Sequence, residues 1–200
     1  MTKQPWDFHA DLSLDRLQLV AKILTDTRRR TILQHEPSAG DGNWSLGCRI
    51  YERSCEMLTR AGQRLWPWLR VVQEPLQFIF TVGDVPMRFF HGDAECPAAY
   101  HLYPVESEWR QLNMAFGDAR VDLVWRIAVE SNETGEVERV QAIGATLGGR
   151  VECSFVIPPL DDSIILWDPL TTEVGPGIAL PEPTVTPRQE MKEKDDGKDV

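Results

Sequence analysis

Residues 121–157 spell out a three-stranded antiparallel meander, turns included. Val121, Leu123, Trp125, Ile127 and Val129 alternate with Asp122, Val124, Arg126, Ala128 and Glu130, the period-two pattern of a strand that buries one face. Asn132-Glu133-Thr134-Gly135 follows as a four-residue hairpin loop, with Gly135 free to take positive φ at its exit. This register sets Ser131 opposite Glu136, Ile127 opposite Val140, Trp125 opposite Ala142 and Leu123 opposite Gly144, placing a large indole over alanine and beside glycine. Gly148-Gly149 then reads as a two-residue turn that pairs Leu147 with Arg150, Gly144 with Cys153 and Ala142 with Phe155. Both turns select the same inward face, and a one-residue slip in either would turn every one of these side chains outward.

A second hairpin lies upstream. Leu76, Phe78, Phe80 and Val82 alternate with Gln77, Ile79 and Thr81; Gly83-Asp84 makes a tight turn; Val85, Met87 and Phe89 continue the apolar face on the return strand. Pro86 has no amide donor, which places the return strand, or at least its start, at a sheet edge. The outward positions Ile79, Arg88 and Phe90 are greasy for a solvent-facing surface, so the segment after His91 or a partner is expected to cover them.

The first third reads as helical. Leu14, Leu17, Val20, Ala21, Ile23 and Leu24 recur at helical spacing behind Ser13, an N-cap residue, with Asp15 placed to favour the helix dipole. That helix ends before Pro37. A second begins near Asn43 or Ser45 and stops before Pro67. Within it Cys48, Tyr51, Cys55, Leu58, Gly62 and Leu65 form an apolar stripe, and Arg49, Arg53, Arg60 and Arg64 fall on the opposite side. A short third helix over residues 105–115 is expected to cross between the two sheet portions.

Composition narrows the class. A chain of 200 residues with 42% hydrophobic content is long enough for one domain with a real core. No apolar run approaches the ~20 residues that span a bilayer, and the N-terminal residues lack the apolar core of a signal peptide, so the expected location is cytoplasmic. Four cysteines make no disulfide framework, and only Cys96 is expected to be exposed. The expected organisation is a single α+β domain over residues 1–169 and a Pro-rich, charged, disordered tail over residues 170–200. Between them Ile164, Ile165, Leu166 and Trp167 form an apolar cluster flanked by acids, read as a last strand or cover, or as a docking peptide.

Thirty-one acidic residues against 21 basic ones give a net charge of −10, a field that repels phosphate backbones and suits a basic protein partner. The helix arginines and Arg28-Arg29-Arg30 are the local exceptions, read first as a solvated face with acidic neighbours such as Glu52 and Glu56. Trp66 and Trp68 are read as a core plug at a helix end rather than as a base-stacking pair. For catalysis, His91, Asp93, Glu95, Cys96 and His101 follow the first hairpin closely enough to converge, and His91, Asp93 and His101 are the three ligands such a loop could offer a metal ion if it folded back on itself. Their spacing matches no metal motif. Arg88, Arg126 and Glu130 form a second polar set on the outer sheet face, read as cross-strand charge pairing. No serine lies in a nucleophile elbow, and the glycines before the last strand do not open a helix as phosphate-binding loops do.

The expected fold is therefore α+β, with two N-terminal helices packed on one face of a roughly five-stranded antiparallel sheet in the order ααββαβββ. The expected function is that of a non-catalytic cytoplasmic interaction or regulatory protein, a small acidic accessory subunit or chaperone-like binder. It would use no metal or cofactor and would contact a protein partner, or a second copy of itself, through Ile79, Arg88, Phe90, Ile165 and Trp167. Two alternatives stand beside it: a metal-dependent hydrolase using the loop from His91 to His101, and nucleic-acid contact through the helix arginines.

Overall fold

A computed structural model describes residues 3–73, 77–106, 108 and 123–160. The fold is α+β, with a six-stranded mixed sheet of strand order β1-β2-β3-β4-β5-β6. The strands are β1 (Leu69–Gln73), β2 (Ile79–Val82), β3 (Val85–His91), β4 (Val124–Ser131), β5 (Val137–Ala145) and β6 (Val151–Ile157). Four helices are described: α1 (Pro5–Phe8), α2 (Leu14–Leu33), α3 (Asn43–Arg64) and α4 (Ala99–Leu102), with a 3-10 turn at Pro37–Ala39. The docking segment with Ile165 and Trp167, the tail, and all of the expected third helix except Val105, Glu106 and Glu108 lie outside the described residues.

Two expectations about the sheet are corrected. It has a sixth strand, β1, whose alternation is broken by a bulge between Val71 and Gln73. It is also not wholly antiparallel, because β3 and β4 run parallel, with Met87 beside Trp125, Arg88 beside Arg126 and Phe89 beside Ile127. The return strand β3 is thus interior. Pro86 is tolerated because it pairs only with Thr81 on β2, and the β4 ladder begins one residue later at Met87.

The meander forms, with turns of a different type from those expected. Both are three-residue loops built to one plan: the amide of Gly135 (φ 86°) donates to the Asn132 carbonyl, and the amide of Gly149 (φ 83°) donates to the Thr146 carbonyl. In each, the side chain of the residue just before the loop accepts from the amide four residues on: Asn132 Oδ1 from Glu136 at 3.0 Å and Thr146 Oγ1 from Arg150 at 3.1 Å. A bulge follows each turn. After the second turn it restores the expected pairing of Gly144 with Cys153 and Ala142 with Phe155. After the first it leaves the strands two residues from the expected register, so Trp125 faces Gly144 and Ile127 faces Ala142. A slip of two keeps every side chain on its face, which is why the inward set survives.

Helices α2 and α3 pack on that inward face. Leu17, Val20, Leu24 and Leu58 join Phe80, Met87, Ile127, Val129 and Ala142 in the main core. The buried line of α3 is Ile50, Ser54, Leu58 and Ala61, rotated from the expected stripe. Tyr51 and Cys55 are only partly buried, and Leu65 is exposed. Gly62 faces β1 so closely that a Cβ there would stand 2.4 Å from the Leu69 carbonyl oxygen. On the outer face a smaller cluster of Phe90, Ala94, Leu102, Val124, Ala128, Ile143 and Ala145 lies under the chain that follows β3. Asp11 ties the N-terminal segment to the β2–β3 turn, its Oδ2 accepting from the Asp84 amide at 3.1 Å and its Oδ1 from Arg16 at 2.5 Å.

Candidate functional site

The sheet separates the two histidines of the expected catalytic loop. His91 ends β3 on the helix side: its Nδ1 is 3.4 Å from Arg28 Nη1, and its ring stands edge-on to Phe89. Arg28 also donates to the Gly135 carbonyl at 2.6 Å and to Ser131 Oγ at 3.2 Å. Burial, and then the Arg28 guanidinium, hold the His91 imidazole down to about 4. His91 Nε2 has no hydrogen-bond partner among the described residues. His101 lies on the other side, stacked on Phe90 at 4.3 Å and 13° and held below its ordinary value by burial and then by Arg88 and Arg126. Asp93 closes its own loop, accepting from the Glu95 amide at 2.7 Å. Because β3 alternates, Phe90 and His91 point to opposite faces, and whatever rests on each is kept apart. His91, Asp93 and His101 are not brought together, and among the described residues no three His, Cys, Asp or Glu side chains gather as a metal site would require. Cys96 is the exposed cysteine, while burial, and then Asp7, push the Cys153 thiol up to about 11.

The outer-face polar set divides in two. Arg126, fully buried, makes a bidentate ion pair with the equally buried Glu108, and also donates to the His101 carbonyl at 2.5 Å. Its partner is therefore an acid supplied by the chain that crosses the sheet, one that strand alternation could not reveal. Glu130 is fully engaged: Oε1 accepts from the Ala94 amide at 2.8 Å and from Gln141 at 3.0 Å, and Oε2 accepts from Arg139. Arg88 stands beside Arg126 in register and is only partly buried, yet its Nη1 is enclosed and has no hydrogen-bond partner among the described residues.

Ile79 and Phe90 are 0% and 6% exposed. Phe90 is covered by Ala94, His101 and Leu102 of the segment after His91, the first of the two covers expected. Neither residue offers free apolar surface in this structure. The helix arginines are largely engaged as well. Arg49 donates to Asp41 at 2.6 Å, Arg53 to Gln34 at 2.5 Å and Arg60 to Glu56 at 2.5 Å. Trp66 and Trp68 stack at 5.3 Å against the core, with Arg16 over the Trp68 ring.

The two most exposed large apolar side chains among the described residues lie elsewhere. Leu33, at the end of α2, is 80% exposed, and Trp44, in the first turn of α3, is 83% exposed. The short link between these helices puts both residues at one end of the helical hairpin. That end is braced: Asp41 Oδ2 accepts from the Glu36 amide at 3.0 Å and from Arg49, bonds that hold its carboxyl below the usual range. The sequence signal was present for Leu33, which falls well off the buried line through Leu24, Thr27 and Thr31. Among the described residues, no helix is long and apolar enough to cross a membrane. Compared with family models, curated proteins and solved structures, the chain matches none.

Proposed function

We propose that this chain is a non-catalytic binding protein, an accessory subunit or chaperone-like module, that engages a protein partner through the tip of its helical hairpin. The observation that carries this reading is the exposure of Trp44 and Leu33, 83% and 80%. A large aromatic anchor held on a rigid support is the residue type that dominates protein interfaces. The bonds that Asp41 accepts from the Glu36 amide and Arg49, and the one that Arg53 donates to Gln34, order the tip before any partner arrives, which reduces the entropy lost on binding. The net charge of −10 favours a basic partner and speeds its approach. Among the described residues, the polar groups expected to serve chemistry are bonded within the fold, as Glu130 and Asp93 are, or stand apart, as His91 and His101 do.

A photo-crosslinking residue placed at position 44 tests this reading. It should yield one discrete adduct in the native host, and Leu33→Ser should diminish that adduct while shifting Tm by no more than about 2 °C, since an exposed side chain adds little to stability. A covalent dimer would identify the partner as a second copy of the chain. If position 44 gave no more adduct than the same residue placed at Glu133, the hairpin tip would not be a contact surface.

A further inference from the structure

We infer that Arg88 marks a binding site for the carboxylate group of a small molecule on the outer face of the sheet. The parallel pairing of β3 with β4 sets Arg88 directly beside Arg126, so two guanidinium groups share one partly dry surface. Glu108 neutralises only one of them, placing its two oxygens on Arg126. Arg88 Nη1 is enclosed and makes no hydrogen bond among the described residues. An enclosed guanidinium nitrogen without an acceptor has lost its hydration with no bond to offset the loss, and a bound anion is one of the ways such a group is satisfied. Among the described residues Glu108 offsets the charge of Arg126 and no carboxylate is bonded to Arg88, so one added negative charge would offset the second guanidinium. The planar fork of an arginine takes a carboxylate through two parallel bonds, as Arg126 takes Glu108 one strand away. Arg88 itself is only partly buried, which leaves a way in for a small acid. Trp44 and Leu33 take no part in this site, so it stands or falls independently of the hairpin tip.

The test measures Tm of the full chain as acetate, propionate or inorganic phosphate replaces chloride at constant ionic strength. A carboxylate that binds the folded state raises Tm saturably, by about 3 °C or more once well above half-saturation. Arg88→Met should abolish that rise and, in chloride alone, should melt at or above the parent temperature, because it removes a desolvated charge. Arg88→Lys should retain a weaker rise. Three results would overturn the inference: carboxylates that stabilise no more than chloride, a rise that persists in Arg88→Met, or an Arg88→Met protein melting more than about 5 °C lower in chloride, which would make the guanidinium a structural group. Half-saturation by phosphate at a tenth of the acetate concentration would overturn the carboxylate assignment in particular.

Discussion

His91 gives the residue scale a measurable consequence. Its ring is mostly out of water against Phe89, and its Nδ1 faces the Arg28 guanidinium. In the unfolded chain the imidazole titrates near 6.5, whereas in the fold burial and then Arg28 hold it down to about 4. Above pH 6.5 both states are neutral at this position and its contribution to stability is complete. As pH falls from 6.5 toward 4 the unfolded chain takes up a proton that the fold refuses, and stability declines. At 1.36 kcal/mol per pH unit the loss reaches at most about 3 kcal/mol near pH 4. Urea midpoints measured between pH 7 and 4 should fall accordingly, and His91→Leu should flatten that decline. Equal slopes in the two proteins would mean that other groups carry the acid sensitivity. Asp11 acts in the same direction: burial raises its carboxyl, but the Asp84 amide and Arg16 together bring it below its ordinary value, so its contribution fades at still lower pH.

Between α3 and β1 the contact is made by a missing side chain. Alanine normally replaces glycine within a helix at a gain approaching 1 kcal/mol. At Gly62 the added Cβ would stand 2.4 Å from the Leu69 carbonyl oxygen, a backbone atom that cannot swing aside. Gly62→Ala should therefore destabilise by about 1 to 3 kcal/mol, in the range of overpacked cores, and a rise in the thermal midpoint would show that α3 can move off β1 freely. The β2–β3 hairpin, the inward set of the meander and the start of α2 behind Ser13 were legible from strand alternation and helical spacing, because such signals are local, although Ser13 makes no side-chain cap bond. The strand β1 was not, because its bulge falls at Val72 and destroys the period within five residues. The register of β4 against β5 differs by two residues from the one the pattern predicts, because the first turn closes with one residue fewer than expected and carries a bulge just beyond it, and a bulge has no signature in hydrophobic pattern. The candidate sites fared differently. Side-chain type singled out Arg88 and Arg126, but their environment depends on Glu108, which is brought to them only by tertiary folding.

For the molecule as a whole, the buried ion pair of Arg126 with Glu108 helps fasten the segment on the outer face to the sheet. Arg126 reaches Glu108 and the carbonyls of His101, Leu102 and Tyr103, so the chain over the outer face is anchored at several points by one side chain. Glu108→Ala strands that guanidinium in a dry environment and should cost about 3 to 5 kcal/mol, whereas Glu108→Leu combined with Arg126→Met should cost far less, because a buried pair replaced by apolar groups loses little. Denaturant midpoints for the two proteins decide it: a double variant no better than the single would show that Arg126 matters through its backbone contacts and not through its charge. The parallel pairing of β3 with β4 also has a history in time. Each flanking hairpin joins neighbours along the chain and can form early, but the middle of the sheet must wait for the ends of the stretch from Gly92 to Leu123 to find each other, an entropically slower closure. That closure is also the step that sets Arg126 next to Arg88, and a chain that had not made it would leave the facing edges of β3 and β4 open.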